Sequence, residues 1–107
     1  MVVGEMVQEV EVAVIGGGPG GYSAALRCAE LGLRTILVDA QPKPGGVCLH
    51  MGCIPSKSLL HAAEVLDAAK HAAKIGITFA EPKIDLKTLR DWKQSVLDKL
   101  AQGIVGM

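Results

Sequence analysis

Two cysteines in a short Gly- and Pro-rich stretch have the clearest chemical potential in this sequence. Cys48 and Cys53 stand five positions apart within residues 45–57, which read GGVCLHMGCIPSK. In a regular helix this spacing separates the Cα atoms by about 8–9 Å, beyond the usual disulfide limit of ~7 Å. A disulfide between them therefore requires a distorted turn, which Gly52 and Pro55 favour. The small ring that results would be open to thiol–disulfide exchange.

The surroundings of the pair favour a reactive thiolate. A helix predicted to begin near Pro55 would bring its N-terminal dipole and Lys57 to the cysteines, and both stabilise a thiolate. Two other interpretations stay open: unreactive loop thiols, and a zinc site for which His50 and His61 are available without a regular ligand spacing. Cys28 is separate, because it falls among the apolar positions of a helical segment, and we predict that it serves packing.

A second candidate site is the glycine pattern Gly16-x-Gly18-x-x-Gly21. The first glycine permits a tight turn, the second lets the backbone approach a pyrophosphate, and the third lets a helix pack against a strand. The helix N-terminus then offers N–H groups to phosphates. Asp39, 18 residues after Gly21, is placed to accept hydrogen bonds from ribose hydroxyls. The pattern predicts an ADP-containing dinucleotide without separating FAD from NAD; a Gly-rich turn without a ligand is the alternative.

The hydrophobic pattern predicts the elements that position these residues. A buried strand at Val10–Ile15 and a second strand at Thr35–Val38 flank a helix over Gly20–Leu31, which predicts a right-handed βαβ unit with parallel strands. Residues 41–56 are expected to form a loop with at most a short helical turn. A long helix is expected to follow over Lys57–Lys74.

The rest of the chain predicts one more strand and one more helix. Ile77–Phe79 is expected to be a short strand, and Asp85 to cap the last helix. The alternating charges of Lys83–Lys99 predict a solvated face, and we expect His61 and His71 to be exposed or half-buried. The apolar stripe of the last helix is expected to face the core and contains Leu89, Trp92, Val96 and Leu100.

Composition excludes several function classes. Eleven Lys and Arg balance eleven Asp and Glu, which argues against an electrostatic nucleic-acid binder. No apolar run approaches the ~20 residues of a membrane helix, and the first fifteen residues lack the Lys or Arg of a signal or transit peptide. We predict one cytoplasmic α/β domain over residues 10–107, preceded by a leader at residues 1–9.

The two motifs together resemble the flavin-dependent pyridine nucleotide–disulfide oxidoreductases. Within that family, residues 45–57 are most similar to the dihydrolipoamide dehydrogenases, whose stretch usually reads GG(T/V)CLNxGCIPSK. His50 and Met51 replace the usual Asn and a variable residue, which leaves both sulfurs in place. The resemblance implies a Rossmann-like βαβ FAD-binding domain, a parallel sheet with helices, that is incomplete relative to the family. The family's second fingerprint, which binds NAD, and its central and interface domains do not occur in these 107 residues.

The resemblance also implies residue roles. Cys48 would be the interchange thiol that meets a dithiol substrate, and Cys53 its disulfide partner nearest the flavin. Asp39, where the family often has Glu, would bind the adenosine ribose, and Lys57 would lie near the flavin ring. The other implied cofactor-binding positions are Gly16, Gly18, Pro19, Gly20 and Gly21 at the pyrophosphate, with Gly46 and Val47 beside the disulfide.

The implied activity is oxidation of dihydrolipoamide through a Cys48–Cys53 disulfide and FAD, with NAD as co-substrate of the complete enzyme. The implied partners are the lipoyl group of a 2-oxo acid dehydrogenase complex and a second copy in a homodimer; no nucleic acid, membrane or metal is expected. No turnover is expected from this segment alone, because the family's acid/base His–Glu pair does not occur in it. The alternatives are another disulfide reductase, similar to mercuric or glutathione reductase, and a stand-alone dinucleotide-binding or thiol redox module.

Overall fold

The computed structural model describes residues 7–107 of the chain. These residues contain two strands, four α-helices and one 3₁₀ turn. Residues 1–6 of the predicted leader lie outside the described residues. In chain order the elements are β1 (Val12–Ile15), α1 (Pro19–Glu30), β2 (Thr35–Val38), α2 (Gly46–His50), α3 (Cys53–His71), the 3₁₀ turn (Ala72–Ile75) and α4 (Leu86–Val105).

The first half of the chain forms the predicted βαβ unit. Strand β1 pairs in parallel with β2, from Val12 opposite Thr35 to Ile15 opposite Val38, and α1 packs on both strands. Because side chains alternate along a strand, only one face of this sheet lies under α1. The prediction that the first strand is buried is wrong on the other face, where Ile15 is 88% exposed.

Helices α2 and α3 replace most of the predicted loop. Helix α3 begins at Cys53, well before the predicted start at Lys57, and the chain after its 3₁₀ extension turns at Gly76 with φ +87°. The strand predicted at Ile77–Phe79 is not formed, because this segment has no partner strand among the described residues. The early start of α3 matters for function, since it brings Cys53 into the first turn of a helix.

The apolar core of residues 7–107 lies where α2, α3 and α4 meet. Its buried apolar side chains are those of Leu49, Leu97 and Ala101. The predicted core stripe of α4 is therefore only partly right, since Trp92 and Leu100 are 41% and 44% exposed. The physical reason is that α2 and α3 cover a face of α4 centred on Leu97. Leu97 directly follows Val96, so the covered face is rotated by one residue from the predicted stripe. Leu89 and Val96 are half-buried at its border.

The remaining predictions for the helices are mostly confirmed. Asp85 caps α4 by accepting hydrogen bonds from the N–H groups of Lys87 and Thr88, at 3.0 and 3.2 Å. His61 and His71 are exposed on α3. Cys28 is half-buried on α1, a helix in which no residue is fully buried, so its packing role is weaker than predicted.

The described chain is elongated, with extents of 71 × 37 × 18 Å and a radius of gyration of 21.0 Å. A compact domain of this size has a radius of gyration of about 13 Å. Large apolar side chains are accordingly exposed along α3 and in the segment that follows it, among them Val65, Ile77 and Phe79. Among residues 7–107, no helix combines the length and the apolar character that crossing a bilayer requires.

Candidate functional site

The glycine pattern forms the turn between β1 and α1. The backbone N–H of Gly16 donates to the carbonyl oxygen of Val38 at 2.7 Å, and Gly16 adopts φ +101°, which favours glycine. A Cβ on Gly21 would collide with the carbonyl oxygen of Gly16. The start of α1 therefore packs directly on the end of β1, and only glycine permits this approach.

The N-terminus of α1 is open for hydrogen bonding. No side chain caps the helix at Gly18, and its first turn carries no acidic residue. The N–H of Tyr22 is the first to bond within the turn, to the carbonyl oxygen of Gly18 at 3.0 Å. The preceding N–H groups of Gly20 and Gly21 have no intrahelical partner. Together with the positive end of the helix dipole they form a surface that suits a phosphate group.

Asp39 lies directly after β2 and faces the glycine turn. Its Oδ2 accepts a hydrogen bond from the N–H of Gly17 at 3.0 Å, and its Oδ1 accepts one from the N–H of Gln41 at 3.0 Å. Because a carboxylate offers about four acceptor positions, capacity remains for hydroxyl donors. Sequence reasoning passed over Gly17, whose Cβ would collide with Asp39 Oδ2; the triplet of consecutive glycines was the available signal.

The cysteine stretch contacts the glycine turn backbone to backbone. The N–H of Gly45 donates to the carbonyl oxygen of Gly17 at 2.8 Å. A Cβ on Gly46 would lie 2.7 Å from the Cα of Gly18. Both Gly45 and Gly46 adopt positive φ angles, +124° and +63°. The structure thus joins the two sequence motifs into one site, and Gly45 is a further residue that sequence reasoning did not select.

The two cysteines lie on either side of a helix break. Helix α2 carries Cys48 and ends at His50, and after Met51 and Gly52 helix α3 begins at Cys53. Gly52 has φ −128° and ψ −107°, far from helical values, and a Cβ there would lie 3.1 Å from the carbonyl oxygen of Val47. This break folds Cys53 back so that its thiol and that of Cys48 are within hydrogen-bonding reach, both in the free thiol form.

The environment of the pair shifts the pKa of Cys48. The hydrogen bond with the Cys53 thiol is the largest of the effects that raise the pKa of Cys48, followed by partial burial and the negative charge that Cys53 can carry. Two effects act in the opposite direction and lower the pKa of Cys48: first the hydrogen bond with the backbone of Cys53, and then the positive charge of Lys57. Cys53 occupies the first position of α3, where the N–H groups of the first turn have no intrahelical partner.

Other predicted site residues lie around the pair. Val47 is 68% exposed at the surface of α2, beside Gly46. Pro19 and Gly20 are exposed at the first turn of α1, next to Gly18. In the described part of the chain, no three His, Cys, Asp or Glu side chains converge into a group that could hold a metal ion.

Two polar contacts fix the loop before α2, and sequence reasoning missed both. The Nε2 of His50 lies 2.9 Å from the carbonyl oxygen of Pro44. The Nζ of Lys43 lies 3.3 Å from Oδ1 of Asp98 on α4. The hydrogen bond from Gln94, and then that from Lys43, hold the pKa of Asp98 below its ordinary value. The departure from Asn at position 50 was the one sequence signal that pointed here.

Comparison with known proteins places this geometry in a family. Residues 10–106 match the family described as pyridine nucleotide-disulphide oxidoreductase. The chain belongs to this family. Its two-stranded parallel sheet with a crossover helix is consistent with a Rossmann-like α/β FAD-binding fragment of a pyridine nucleotide-disulphide oxidoreductase.

Three relatives within the family are named dihydrolipoyl dehydrogenase. The chain is 54% identical over 97 residues to the dihydrolipoyl dehydrogenase of Buchnera aphidicola, an alignment that covers 91% of this chain and 20% of the relative. It is 54% identical over 99 residues to that of Haemophilus influenzae, covering 92% and 21%. It is 45% identical over 107 residues to that of Bacillus subtilis, covering 100% and 23%. The chain thus spans about a fifth of the length of these relatives.

Proposed function

We propose that this chain is the N-terminal FAD-binding and redox-disulfide segment of a dihydrolipoamide dehydrogenase. The observation that carries the proposal is the contact between Gly46 and Gly18, where a Cβ would come within 2.7 Å of the neighbouring backbone. It puts a cysteine pair next to a glycine turn suited to a pyrophosphate. The names of the relatives support this choice over mercuric or glutathione reductase, since those cited here are dihydrolipoyl dehydrogenases.

The described residues fit a dinucleotide such as FAD. Nothing lies within 4 Å of the missing Cβ of Gly16 or of Gly20, so the approach to the α1 N-terminus is open there, as a close phosphate contact requires. Asp39 retains acceptor capacity for ribose hydroxyls, and its charge disfavours a 2′-phosphate. Gly46 and Val47 would then line the cofactor beside the cysteines, with Lys57 near the flavin ring. When bound, FAD supplies a two-electron acceptor for the reduced cysteine pair, and NAD is the final acceptor in the complete enzyme.

The cysteine pair accounts for the substrate half of the reaction. A dihydrolipoamide thiolate attacks Sγ of Cys48 in the oxidised pair; the Cys48–Cys53 bond breaks and Cys53 leaves as a thiolate. The second substrate thiolate then attacks the substrate sulfur bonded to Cys48, which releases lipoamide and leaves Cys48 reduced. Two electrons have passed from the substrate to the pair. The α3 N-terminus stabilises the departing Cys53 thiolate, and Lys57 favours the thiolate of Cys48.

The proposal extends to the setting in which the segment would act. The segment would serve a homodimeric enzyme in the cytoplasm that reoxidises the lipoyl group of a 2-oxo acid dehydrogenase complex. Residues 10–107 would form part of its FAD-binding domain.

The test of the cofactor proposal is binding of FAD by the purified chain. The chain is mixed with FAD, desalted, and its flavin absorbance is compared with that of Gly46→Val and Gly103→Ala variants. The wild type and Gly103→Ala should retain flavin, because Gly103 has no neighbour near its missing Cβ. Gly46→Val should lose it, because a side chain there meets Gly18. Absence of flavin from the wild type would contradict FAD binding by residues 10–107.

A further inference from the structure

We propose that His50 is a positioning residue that fixes the Pro44–Gly46 turn and thereby sets the approach of the cysteine-bearing helix to the glycine turn. The Nε2 of His50, on α2, lies 2.9 Å from the carbonyl oxygen of Pro44. A carbonyl oxygen can only accept, so His50 donates through Nε2–H. Both groups are half-buried. Without the imidazole, the half-buried Pro44 carbonyl would lose this hydrogen-bond partner.

The turn has few other hydrogen bonds to hold it. Pro44 has no N–H, so the carbonyl that His50 binds is its only backbone hydrogen-bonding group. The next residue, Gly45, donates to the carbonyl oxygen of Gly17 at 2.8 Å. Leu49, the neighbour of His50 on α2, is buried and packs where a Cβ on Gly45 would stand. Helix α2 therefore holds Gly45 in three ways: by packing from Leu49, by the Leu49 N–H, which donates to the Gly45 carbonyl oxygen at 3.3 Å, and by the hydrogen bond from the His50 side chain to the preceding residue.

A continuous series of hydrogen bonds results. It runs from His50 through Pro44 and Gly45 to Gly17, whose N–H donates to Asp39 Oδ2 at 3.0 Å. The Lys43–Asp98 ion pair connects the same loop to α4. Among the side-chain hydrogen bonds of the described residues, only the one from His50 connects this loop to α2, the helix that carries Cys48. The effect on the cofactor rests on the proposed function, whereas the effect on the turn does not.

The test is amide hydrogen exchange at Gly45, followed by nuclear magnetic resonance in the 107-residue chain. His50→Phe keeps a ring without a donor and should speed exchange of the Gly45 amide about tenfold, as loss of one buried hydrogen bond implies. His50→Gln carries an amide N–H three bonds from Cβ, as far as Nε2 in histidine, and should restore protection to within about threefold. His71→Ala is the matched control, because it removes a histidine whose ring nitrogen lies 2.9 Å from a carbonyl oxygen far from the site.

Each result of the exchange experiment either supports or overturns the proposal. Unchanged protection in His50→Phe, or protection lost equally in His50→Gln, would overturn the proposal. If His50→Phe does not fold, a folded His50→Gln chain with a protected Gly45 supports the proposal, and an unprotected Gly45 overturns it. FAD retention is measured on the same samples. A chain that shows the expected exchange pattern but retains no FAD contradicts only the proposed function.

Discussion

The carboxylate of Asp39 and the backbone N–H of Gly17 form a hydrogen bond of 3.0 Å across the end of the parallel sheet. The same carboxylate binds the N–H of Gln41, so it holds the chain on both sides of the turn. A Cβ on Gly17 would collide with this carboxylate. The middle glycine of the triplet is thus required by a protein contact, independently of any ligand.

Gly17→Ala is therefore expected to lower the free energy of unfolding by about 1–3 kcal/mol, because it displaces a charged acceptor from its donor. Gly20→Ala is the matched control in the same turn, since nothing lies near its missing Cβ. That variant should change stability by less than about 1 kcal/mol. Urea denaturation measures both, and equal stabilities for the two variants would contradict the role given to Asp39.

Leu97→Ala tests the position of the core. Leu97 is 3% exposed between α4, α2 and α3, and its truncation should cost about 2–4 kcal/mol of unfolding free energy through lost burial and a cavity. Leu100→Ala on the exposed side of α4 should cost less than about 1 kcal/mol. Thermal or urea unfolding of both compares them. A larger loss of unfolding free energy in Leu100→Ala than in Leu97→Ala would contradict this position of the core and favour the stripe predicted from sequence.

The contrast between Leu97 and Leu100 shows what the sequence could and could not predict. Periodicity identified α4 and its cap at Asp85, since both depend on local backbone chemistry. It did not identify which edge of the apolar stripe is covered, because that depends on where α2 packs. The start of α3 was predicted too late for a different reason: Pro55 suggested a helix start, yet proline is tolerated in the first turn and α3 begins at Cys53.

The candidate site likewise has features that the local sequence predicts and features that it does not. The glycine spacing and the cysteine pair were evident from local sequence, and the helix break at Gly52 follows the predicted distortion. The contact between Gly46 and Gly18 joins positions 28 residues apart, so no local pattern reveals it. The role of Gly45, whose N–H donates to the carbonyl oxygen of Gly17, belongs to the same approach and was missed with it.

Asp85 makes the stability of α4 dependent on pH. The hydroxyl and N–H of Thr88 donate to its carboxylate and lower its pKa below the ordinary value. A depressed pKa contributes stability that is present above the unfolded value of about 3.9 and is lost as pH falls through the folded value. Asp85→Asn keeps an acceptor at the cap but does not titrate. The difference in melting temperature between wild type and Asp85→Asn should therefore shrink between about pH 5 and pH 2; a difference that grows on acidification would refute this.

Cys53 should control the reactivity of Cys48. In a Cys28→Ser background, Cys53→Ala removes the hydrogen bond and charge that raise the pKa of Cys48. Alkylation of Cys48, followed as a rate against pH, should then shift to lower pH. Lys57→Gln should shift the profile to higher pH, because it removes the charge that lowers this pKa. A profile that Cys53→Ala leaves in place would mean that the thiols do not interact.

The role of Cys48 and Cys53 as a redox disulfide is tested most directly by mapping the disulfide of the oxidised chain by mass spectrometry before and after treatment with dihydrolipoamide. After oxidation with diamide, we expect a bond between Cys48 and Cys53 with Cys28 free. Dihydrolipoamide should then return both cysteines to thiols. A disulfide that includes Cys28, or a Cys48–Cys53 bond that dihydrolipoamide leaves intact, would contradict the assignment of this pair as a lipoamide-linked redox disulfide.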